Sequence, residues 1–352
     1  MKKKSILIYG EYSGYGKSLV NGFKELGYDA EVLNFFGDGF KQIKGGLSLE
    51  GKNKIEKSVS LIKLLPKILK YKNILIMNPE FFNLKFLGPL ILVLLKITNK
   101  KIILLCCGDD VEFIKYGKKG MIPNWPYIDT PLPKNKYYQR KVDIIINYIV
   151  ASSAKKIIPV MYDYYKAWSL SNFSSKLTQT IPLACDGEIK TINEKSFKTE
   201  KIVIMHGINR EGFKGSQIIK QALSKIEKKY SDKVEIIFPE KLPLIEYLKI
   251  MDKVDISIDQ TKSNSYGMNA IYSMFAGHVV LAPANSYFKK NLSIVDCPII
   301  PIENNIDSIY EKLSFLINNY HLINKLKKET QSYAINNHSP LFIAEKIAKH
   351  LN

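Results

Sequence analysis

Two basic side chains, Arg210 and Lys214, lie four residues apart in the stretch HGINREGFKG. The apolar run KIVIM predicts a strand just before them, and KGSQIIKQALSKIEKKY predicts a helix just after them. Cations beside a helix N-terminus suit an anion such as a diphosphate, because the helix dipole and the free N–H groups add to their charge. Each charge-assisted hydrogen bond to such an anion would contribute about 1.5–3 kcal/mol. We therefore regard these two residues as a candidate diphosphate clamp.

A second polar group follows the apolar stretch VDISI. Asp259 ends this predicted strand, and a short loop leads to Gly267 and Met268, where GMNAIYSMFAGH predicts a helix. The first N–H groups of a helix lack partners inside it, so this helix start would offer donors to a phosphate. We expect it to converge with the two cations across a cleft.

The stretch GEYSGYGKS, behind the apolar run SILIY, raises the question of a nucleotide-binding P-loop. That motif requires a glycine five positions before the glycine of its Gly-Lys-Ser, and here Glu11 stands five positions before Gly16. An acidic residue at that point also opposes a polyphosphate. We interpret the loop, with Gly14 and Tyr15, as a glycine-rich turn that lets another ligand approach a helix N-terminus.

Two carboxylates, Asp109 and Asp110, follow the apolar run KIILLCC. They are candidates for contacts to a substrate, although either could instead cap the helix that follows. His206 is as consistent with a structural role as with a ligand contact. The run MYDYYKAW (161–168) favours packing at a domain interface over a platform for the acceptor.

The elements that position these residues are predicted from the pattern of the chain. Apolar β-rich runs alternate with helical patterns, which predicts parallel sheets with crossover helices. The alternation stops in the polar stretch DGEIKTINEKSFKTE and then restarts. We predict two doubly wound α/β domains around a central cleft, with ligands at the carboxyl ends of the strands. The expected units are residues 1–185, a linker at 186–200, residues 201–335, and a C-terminal helix at 336–352 that crosses back to the first domain.

Positive charge is concentrated in the first half of the chain. Residues 1–185 contain 29 Lys or Arg against 14 Asp or Glu, whereas residues 186–352 contain 23 against 19. Such a surface attracts anionic lipids or an acceptor that carries a diphosphate. Nucleic acid is not an expected partner, because only Arg140 and Arg210 are arginines and nucleic-acid readers depend on arginine.

The segment FFNLKFLGPLILVLLKI (81–97) is strongly apolar. It is shorter than the roughly 20 residues that a membrane span needs, and Lys85 and Gly88-Pro89 interrupt it. We predict a helix packed on a sheet, or one whose Phe-rich end dips into a membrane surface. The four cysteines have no disulfide spacing, and the basic N-terminus has too short an apolar run for a signal peptide. A cytoplasmic protein, peripheral on the inner membrane face, is therefore expected.

HGINREGFKG and SYGMNAIYSMFAG resemble the two donor-binding signatures of retaining GT-B glycosyltransferases, in particular family four. Members of that family carry an Arg…Lys-Gly pair and, later, a Glu-Gly-Phe-Gly…Glu-Ala-Met-Ala-x-Gly stretch. In the first half, CCGDDVEF is similar to the His-Gly-Ser-Asp-Val-Arg type loop of some members, and IPLACD is similar to their entry into the second domain. The likeness spans most of the chain, and its specific motifs lie in the second half.

The resemblance implies that Arg210 and Lys214 are catalytic and hold the donor diphosphate, which the backbone of Gly207 approaches. The donor site that it implies also includes Asp259, Asn264, Ser265, Tyr266, Gly267, Met268 and Tyr272. Two of these positions depart from the family: Asn264 and Tyr272 stand where its members carry glutamates that contact the donor sugar and the ribose. Asp259 could substitute for one of the missing carboxylates. Gly14, Tyr15, Asp109 and Asp110 would lie on the acceptor side.

The function that follows from the resemblance is transfer of a sugar from a UDP- or GDP-sugar to a glycan or lipid-linked acceptor in bacterial surface-polysaccharide synthesis. It implies retention at the anomeric carbon without a metal or a separate cofactor. Two alternatives stay open at this point. A nucleotide-sugar epimerase would share the architecture and the phosphate clamp, and a non-catalytic sugar-nucleotide or glycan-binding protein would fit the two missing glutamates.

Overall fold

The computed structural model describes residues 4–34, 45–82, 84, 87–134, 137–192, 194–208, 210–294 and 296–351. Two parallel sheets organise these residues. The strands of the first sheet are β1 Ser5–Tyr9, β2 Asp29–Asn34, β3 Leu47–Ser48, β4 Asn73–Ile76, β5 Lys101–Cys106 and β6 Lys156–Pro159. Those of the second are β7 Ile202–His206, β8 Val234–Ile237, β9 Ile256–Ile258, β10 Val279–Ala282 and β11 Ile300–Pro301.

Both sheets are doubly wound, as the sequence predicts. The first has the order β3-β2-β1-β4-β5-β6 and the second the order β11-β10-β9-β7-β8. Strand order therefore reverses between β1 and β4 in one sheet and between β7 and β9 in the other, which is where α/β proteins bind ligands. The inner strands are continuous apolar runs because helices cover both of their faces. All five residues of β1 and all five of β7 are buried.

Helices connect the strands in each half. Those of the first half are α1 Tyr15–Glu25, α2 Lys54–Ile68, α3 Leu87–Ile97, α4 Val111–Lys118, α5 Lys141–Ser153 and α6 Tyr162–Ser169. The second half contains α7 Glu211–Lys214, α8 Ser216–Lys229, α9 Leu244–Met251, α10 Met268–Phe275, α11 Ser286–Leu292, α12 Ile306–Asn318, α13 Ile323–His338 and α14 Pro340–Ala348. In the described part of the chain, none of these helices is both long enough and apolar enough to cross a bilayer.

Phe81 and Phe82, at the start of the apolar segment 81–97, fit the first of the two predicted alternatives, in which the segment packs inside the protein. The described helix is Leu87–Ile97, and Phe81 and Phe82 are each 1% exposed. Their ring centroids lie 4.7 and 4.5 Å from that of Tyr9, so they fill the core at the end of β1. These two side chains do not reach a membrane surface, because packing against a buried tyrosine satisfies them inside the domain.

The C-terminal helix lies against the first domain. Helix α14 packs along α1, and a Cβ on Gly22 of α1 would stand 2.1 Å from the carbonyl oxygen of Pro340. The N–H of Cys185 donates to the carbonyl of His338 over 2.9 Å, close to the break between α13 and α14. The chain therefore passes between the two domains twice, near residue 185 and near residue 339.

Candidate active site between the two domains

Arg210 and Asp109 meet across the cleft. Arg210 follows β7 and Asp109 follows β5, and Nη2 of the arginine lies 2.8 Å from Oδ2 of the aspartate. The guanidinium also lies over the ring of Phe213, with 3.8 Å between Cζ and the ring centroid. The Arg210 side chain is 48% exposed and that of Asp109 is 1% exposed. The pair thus joins a buried carboxylate of one domain to a cation of the other that still faces solvent.

Two tyrosines add to the hydrogen bonding of Asp109. The hydroxyls of Tyr127 and Tyr137 donate to its Oδ2 atom over 2.5 and 2.6 Å, and Arg210 also donates to the Tyr127 hydroxyl. Burial, together with the charge of Asp109, raises the pKa of both phenols, so both remain donors at neutral pH. The other carboxylate oxygen, Oδ1, is buried and has no hydrogen-bond partner among the described residues.

Lys214 lies deeper in the second domain than Arg210. Its Nζ atom is 3.0 Å from Oδ1 of Asp259 and 3.4 Å from the carbonyl oxygen of Gly207. Oδ2 of Asp259 accepts the N–H of Gly267 over 3.1 Å, at the start of α10. Burial acts to raise the pKa of Asp259, but Lys214 and this N–H outweigh it, and the pKa lies below its usual value. Lys214, Asp259 and Gly267 therefore form one connected group.

Gly207 is a point of close approach. A Cβ at this residue would lie 2.8 Å from the hydroxyl oxygen of Tyr247. That hydroxyl donates to Oδ1 of Asn269, in the first turn of α10, over 2.5 Å. The glycine at the end of β7 thus leaves room for a tyrosine of α9 to hold the start of α10, where Gly267 and Met268 are half-buried.

The amide groups at the start of α1 are already occupied. Oε1 of Glu11 accepts the N–H of Gly14 over 2.7 Å, and Oε2 accepts the N–H of Lys17 over 2.9 Å. These are N–H groups of the kind that a P-loop presents to phosphate. The carboxylate that breaks the motif spacing therefore also fills the anion position, which supports the interpretation of this loop as a turn and not as a P-loop.

Gly14 and Tyr272 form a contact between the domains. The Tyr272 hydroxyl donates to the carbonyl of Ser13 over 3.1 Å, and a Cβ on Gly14 would lie 2.2 Å from that hydroxyl oxygen. Gly14 has a φ of 91°, so both its backbone and its surroundings favour glycine. The neighbouring Tyr15 is 0% exposed and packs in the core of the first domain, away from an open surface.

Asn264 is fully buried where the two domains touch. Its backbone N–H and its Nδ2 donate to Oδ1 of Asp163 over 3.2 and 2.8 Å, and Nδ2 also donates to the carbonyl of Pro123 over 2.6 Å. Its Oδ1 accepts from Nδ2 of Asn285 over 2.9 Å. The side chain is therefore saturated by protein contacts, because it bridges the second domain to two segments of the first.

The next two residues are also engaged in packing. Oγ of Ser265 accepts the N–H of Tyr162 over 3.3 Å. The Tyr266 hydroxyl lies 2.9 Å from Nε2 of His338 and 3.1 Å from the hydroxyl of Tyr333. The structure thus places Ser265 and Tyr266 inside the protein, while Gly267 and Met268 remain nearer to the surface.

Asp110 caps a helix. Its Oδ1 accepts the N–H of Phe113 at the start of α4 over 2.8 Å, and its Oδ2 accepts Nε1–H of Trp168 over 2.8 Å. Burial raises the pKa of Asp110 to about 7, although these two hydrogen bonds act in the opposite direction. His206 is likewise internal, with its ring nitrogens 2.9 Å from the carbonyl of Ile258 and 2.8 Å from Oγ of Ser216.

The sequence did not predict three residues whose side chains bind the site residues. Tyr127 and Tyr137 donate hydrogen bonds to Asp109, and Asp163 accepts them from Asn264. Tyr127 lies in the Pro-rich stretch WPYIDTPLP, which gave no periodic signal, whereas the sequence predicted a helix from about Asn135 that would include Tyr137. In the structure Asn135 lies outside the described residues and α5 begins at Lys141. Asp163 lies in MYDYYKAW, for which packing at the domain interface was expected. That expectation is confirmed, since Tyr162 stacks on Tyr287 of the second domain with 5.4 Å between ring centroids. A carboxylate among aromatic residues was the one available signal for Asp163.

Solved structures of the same architecture cover nearly the whole chain. HepE from Anabaena, in complex with UDP and glucose, has 13% sequence identity and a TM-score of 0.65 over 99% of each chain. A glycosyltransferase from Rickettsia africae has 14% identity and a TM-score of 0.61 over 99% of this chain and 98% of its own. UDP-GlcNAc 2-epimerase from Neisseria meningitidis, bound to UDP-GlcNAc, has 12% identity and a TM-score of 0.51 over 99% of each chain. This protein has the GT-B fold.

No protein-family model matches the sequence, and no curated protein matches it significantly. The structural likenesses at such low identity therefore establish the fold. In the GT-B arrangement seen here, the carboxyl edges of the two sheets face each other. Asp109 of one edge and Arg210 of the other meet between them.

Proposed function

We propose that this protein is a glycosyltransferase that takes a sugar from a nucleotide diphosphate donor. The observation that carries the proposal is the meeting of Arg210, from the second domain, with the buried Asp109 of the first. Beside it, Lys214 and Asp259 hold the start of α10. A cation that faces solvent and a helix start at the carboxyl edge of a doubly wound sheet are suited to a diphosphate.

In the proposed reaction, Arg210 and the first N–H groups of α10 offset the negative charge that grows on the leaving diphosphate. Preorganised donors of this kind contribute about 10²–10³ in rate each. Lys214 does not contact the diphosphate in this proposal. It holds Asp259, and Asp259 holds the N–H of Gly267 at the start of α10. We further propose, from the sequence resemblance, that the reaction retains the anomeric configuration and needs no metal.

The acceptor is proposed to approach Asp109 from the first domain. Its Oδ1 atom is buried without a hydrogen-bond partner in the described part of the chain, and such an oxygen is costly unless a water or a ligand hydroxyl pairs with it. This oxygen would position the acceptor hydroxyl, while the leaving diphosphate takes its proton. A glycan or lipid-linked acceptor in bacterial surface-polysaccharide synthesis fits the motif resemblance.

A UDP-sugar is the favoured donor, because HepE and the Neisseria epimerase were solved with UDP and with UDP-GlcNAc. A GDP-sugar is the second choice. We place the activity in the cytoplasm. Three of the four free cysteines, Cys106, Cys107 and Cys185, are buried, and unpaired thiols suit a reducing compartment.

Arg210→Gln tests the clamp, and Arg140→Gln is a matched control because Arg140 is a half-exposed arginine that pairs with Asp143 three residues further along the chain. We expect Arg210→Gln to lower kcat/KM by about 10²–10³ with UDP-sugars, while Arg140→Gln stays within about twofold. Arg210 is a better choice than Lys214, because its side chain is half exposed and Asp109 keeps the hydrogen bonds from Tyr127 and Tyr137 when Arg210 is lost. Lys214 is itself buried, and its loss would leave Asp259 buried without its cation. Unchanged kinetics in Arg210→Gln would remove the clamp from the mechanism.

An epimerase is the second candidate, because the Neisseria epimerase has the same two-domain architecture over its full length. The two functions differ in their need for an acceptor. Incubation with UDP-sugar alone, followed by separation of the sugar nucleotides, should return the donor unchanged. A new UDP-sugar isomer in that sample would replace the transferase proposal with an epimerase.

A further inference from the structure

Three helices of the first domain expose large apolar side chains to solvent. On each of α2, α3 and α5 at least two such side chains are more than half exposed: Ile55 77% and Ile62 57%, Leu90 62% and Ile97 72%, Ile145 56% and Tyr148 58%. Single exposed apolar residues are ordinary, but a set on neighbouring helices marks an interaction surface.

These helices lie on one face of the first sheet. They connect β3 to β4, β4 to β5 and β5 to β6, and all three connections move in the same direction along the sheet. Right-handed crossovers in one direction place their helices on the same face. Helix α3 packs against α5, whereas α1, whose connection runs the other way, is covered by α14. We call the exposed side chains of α2, α3 and α5 the apolar-basic face.

The positive charge of the apolar-basic face indicates an anionic partner. The three helices contain six lysines, namely Lys54, Lys57, Lys63, Lys67, Lys96 and Lys141. Their acidic residues are Glu56 and Asp143, and Asp143 is paired with Arg140. Lys67 is paired with Glu31 of β2 over 2.9 Å, so it adds little to the positive charge of the face. A second copy of the chain would bring the same lysines opposite these, which disfavours a symmetric dimer. An anionic lipid surface complements both the apolar side chains and the lysines.

We propose that the apolar-basic face docks on an anionic bilayer, with the apolar side chains at the acyl boundary and the lysines among the phosphates. Helix α5 also reaches from this face to a cavity beside Asp110, the chain neighbour of Asp109. Ile146 and Asn147, on its other side, line a cavity of about 20 Å³ together with Glu80 and Asp110. Docking through α5 would therefore hold the acceptor side of the cleft close to the membrane. The inference goes beyond the proposed function, since it requires neither donor nor acceptor.

Flotation of the full chain with vesicles tests the proposal. Vesicles of equal parts phosphatidylglycerol and phosphatidylcholine should bind the protein, and phosphatidylcholine alone should bind it weakly. The triple variant Leu90→Ser, Val93→Ser and Ile97→Ser should need at least about tenfold more anionic lipid for half-binding. The control Ile245→Ser with Phe315→Ser removes two exposed apolar side chains of the second domain, 70% and 55% exposed, and should bind like the wild type.

A second variant tests the proposal if the triple serine variant of α3 does not fold. Lys63→Gln with Lys96→Gln and Lys141→Gln should lose the preference for phosphatidylglycerol and the sensitivity of binding to salt. Three outcomes would overturn the proposal: no flotation of the wild type, equal losses in the control and in the α3 variant, or light scattering that shows a dimer dissociated by the α3 substitutions. Since vesicle binding is measured without a sugar nucleotide, its failure leaves the transferase proposal standing.

Discussion

At the scale of single residues, Asp110 couples the stability of the first domain to pH. It is wholly buried and caps α4, and burial raises the pKa of its carboxyl to about 7 from 3.8. The folded state therefore holds this proton more tightly than the unfolded state. Below about pH 4 Asp110 is protonated in both the folded and the unfolded state, and it does not lower the free energy of unfolding. As pH rises toward 7 the unfolded state loses the proton first, so the free energy of unfolding falls. Burial of the charged form is the physical cause.

Asp110→Asn should remove this pH dependence, because an amide stays neutral. Its single oxygen can accept from Phe113 or from Trp168 but not from both, so the variant also loses one hydrogen bond at every pH. The free energy of unfolding of the variant, relative to wild type, should rise by about 2–3 kcal/mol between pH 5 and pH 8. Urea unfolding at the two pH values measures the difference. Parallel stability profiles for the two proteins would show that Asp110 does not titrate in this range.

At the scale of elements, the packing of α14 on α1 requires a glycine at position 22, where helix propensity favours alanine. Alanine is a better helix former than glycine by about 1 kcal/mol, so propensity favours Gly22→Ala in the middle of α1. In the structure, however, the new Cβ would stand 2.1 Å from the carbonyl oxygen of Pro340. Such a clash with backbone cannot be relieved by a rotamer change, and α14 would have to move.

We expect Gly22→Ala to lower the free energy of unfolding by about 1–3 kcal/mol and to increase hydrogen exchange in α14. Lys24→Ala, at an exposed position of the same helix, is the control and should leave both quantities close to wild type. A Gly22→Ala protein that gains stability would mean that α14 does not pack as closely on α1 as described.

At the scale of the whole molecule, Asp163 helps to hold the two domains together. The carboxylate is 3% exposed and accepts hydrogen bonds from Asn264 and from Oγ of Ser263, both in the second domain. Burial raises its pKa, and these bonds moderate the rise. Lys262 adds a second link through Thr130 of the first domain, over 2.8 Å.

Asp163→Ala should leave the amide of Asn264 buried with fewer partners, which costs at least about 2 kcal/mol of unfolding free energy. Asp307→Ala removes a carboxylate that is 83% exposed, 3.7 Å from Lys225, and should stay within about 0.5 kcal/mol of wild type. Chemical denaturation compares the three proteins. Small-angle scattering should also show a larger radius for Asp163→Ala, and equal radii would argue against its role in closure.

Local patterns in the sequence were sufficient to predict the two doubly wound sheets. Apolar runs such as those of β1 and β7 are buried on both faces of a sheet, and this requirement alone makes them recognisable as parallel strands. The placement of Arg210 and Lys214 at the end of β7 was predictable for the same reason, since polar residues can follow such a strand only where it leaves the core. The one-turn helix α7 between them was not predicted, because four residues carry no periodicity.

The site itself depended on contacts between distant segments. Asn264 meets Asp163 across 101 residues, and Arg210 meets Asp109 across 101 residues as well. The burial of Phe81 and Phe82 against Tyr9 likewise depends on a neighbour that is remote in the chain. The cap at Asp110, by contrast, is a local contact with Phe113 that the sequence had offered. No spacing rule reports the distant contacts, because they depend on which distant segments the tertiary structure brings together.

The sequence by itself therefore determined two doubly wound domains and the strand ends at which polar side chains must emerge, because hydrophobic periodicity is a local property. Only the tertiary structure decided which of those side chains remain accessible. It left Arg210 half exposed, paired Lys214 with Asp259 and buried Asn264 completely. The reason is that burial and pairing are set by which surfaces meet, and packing between the domains selects those surfaces.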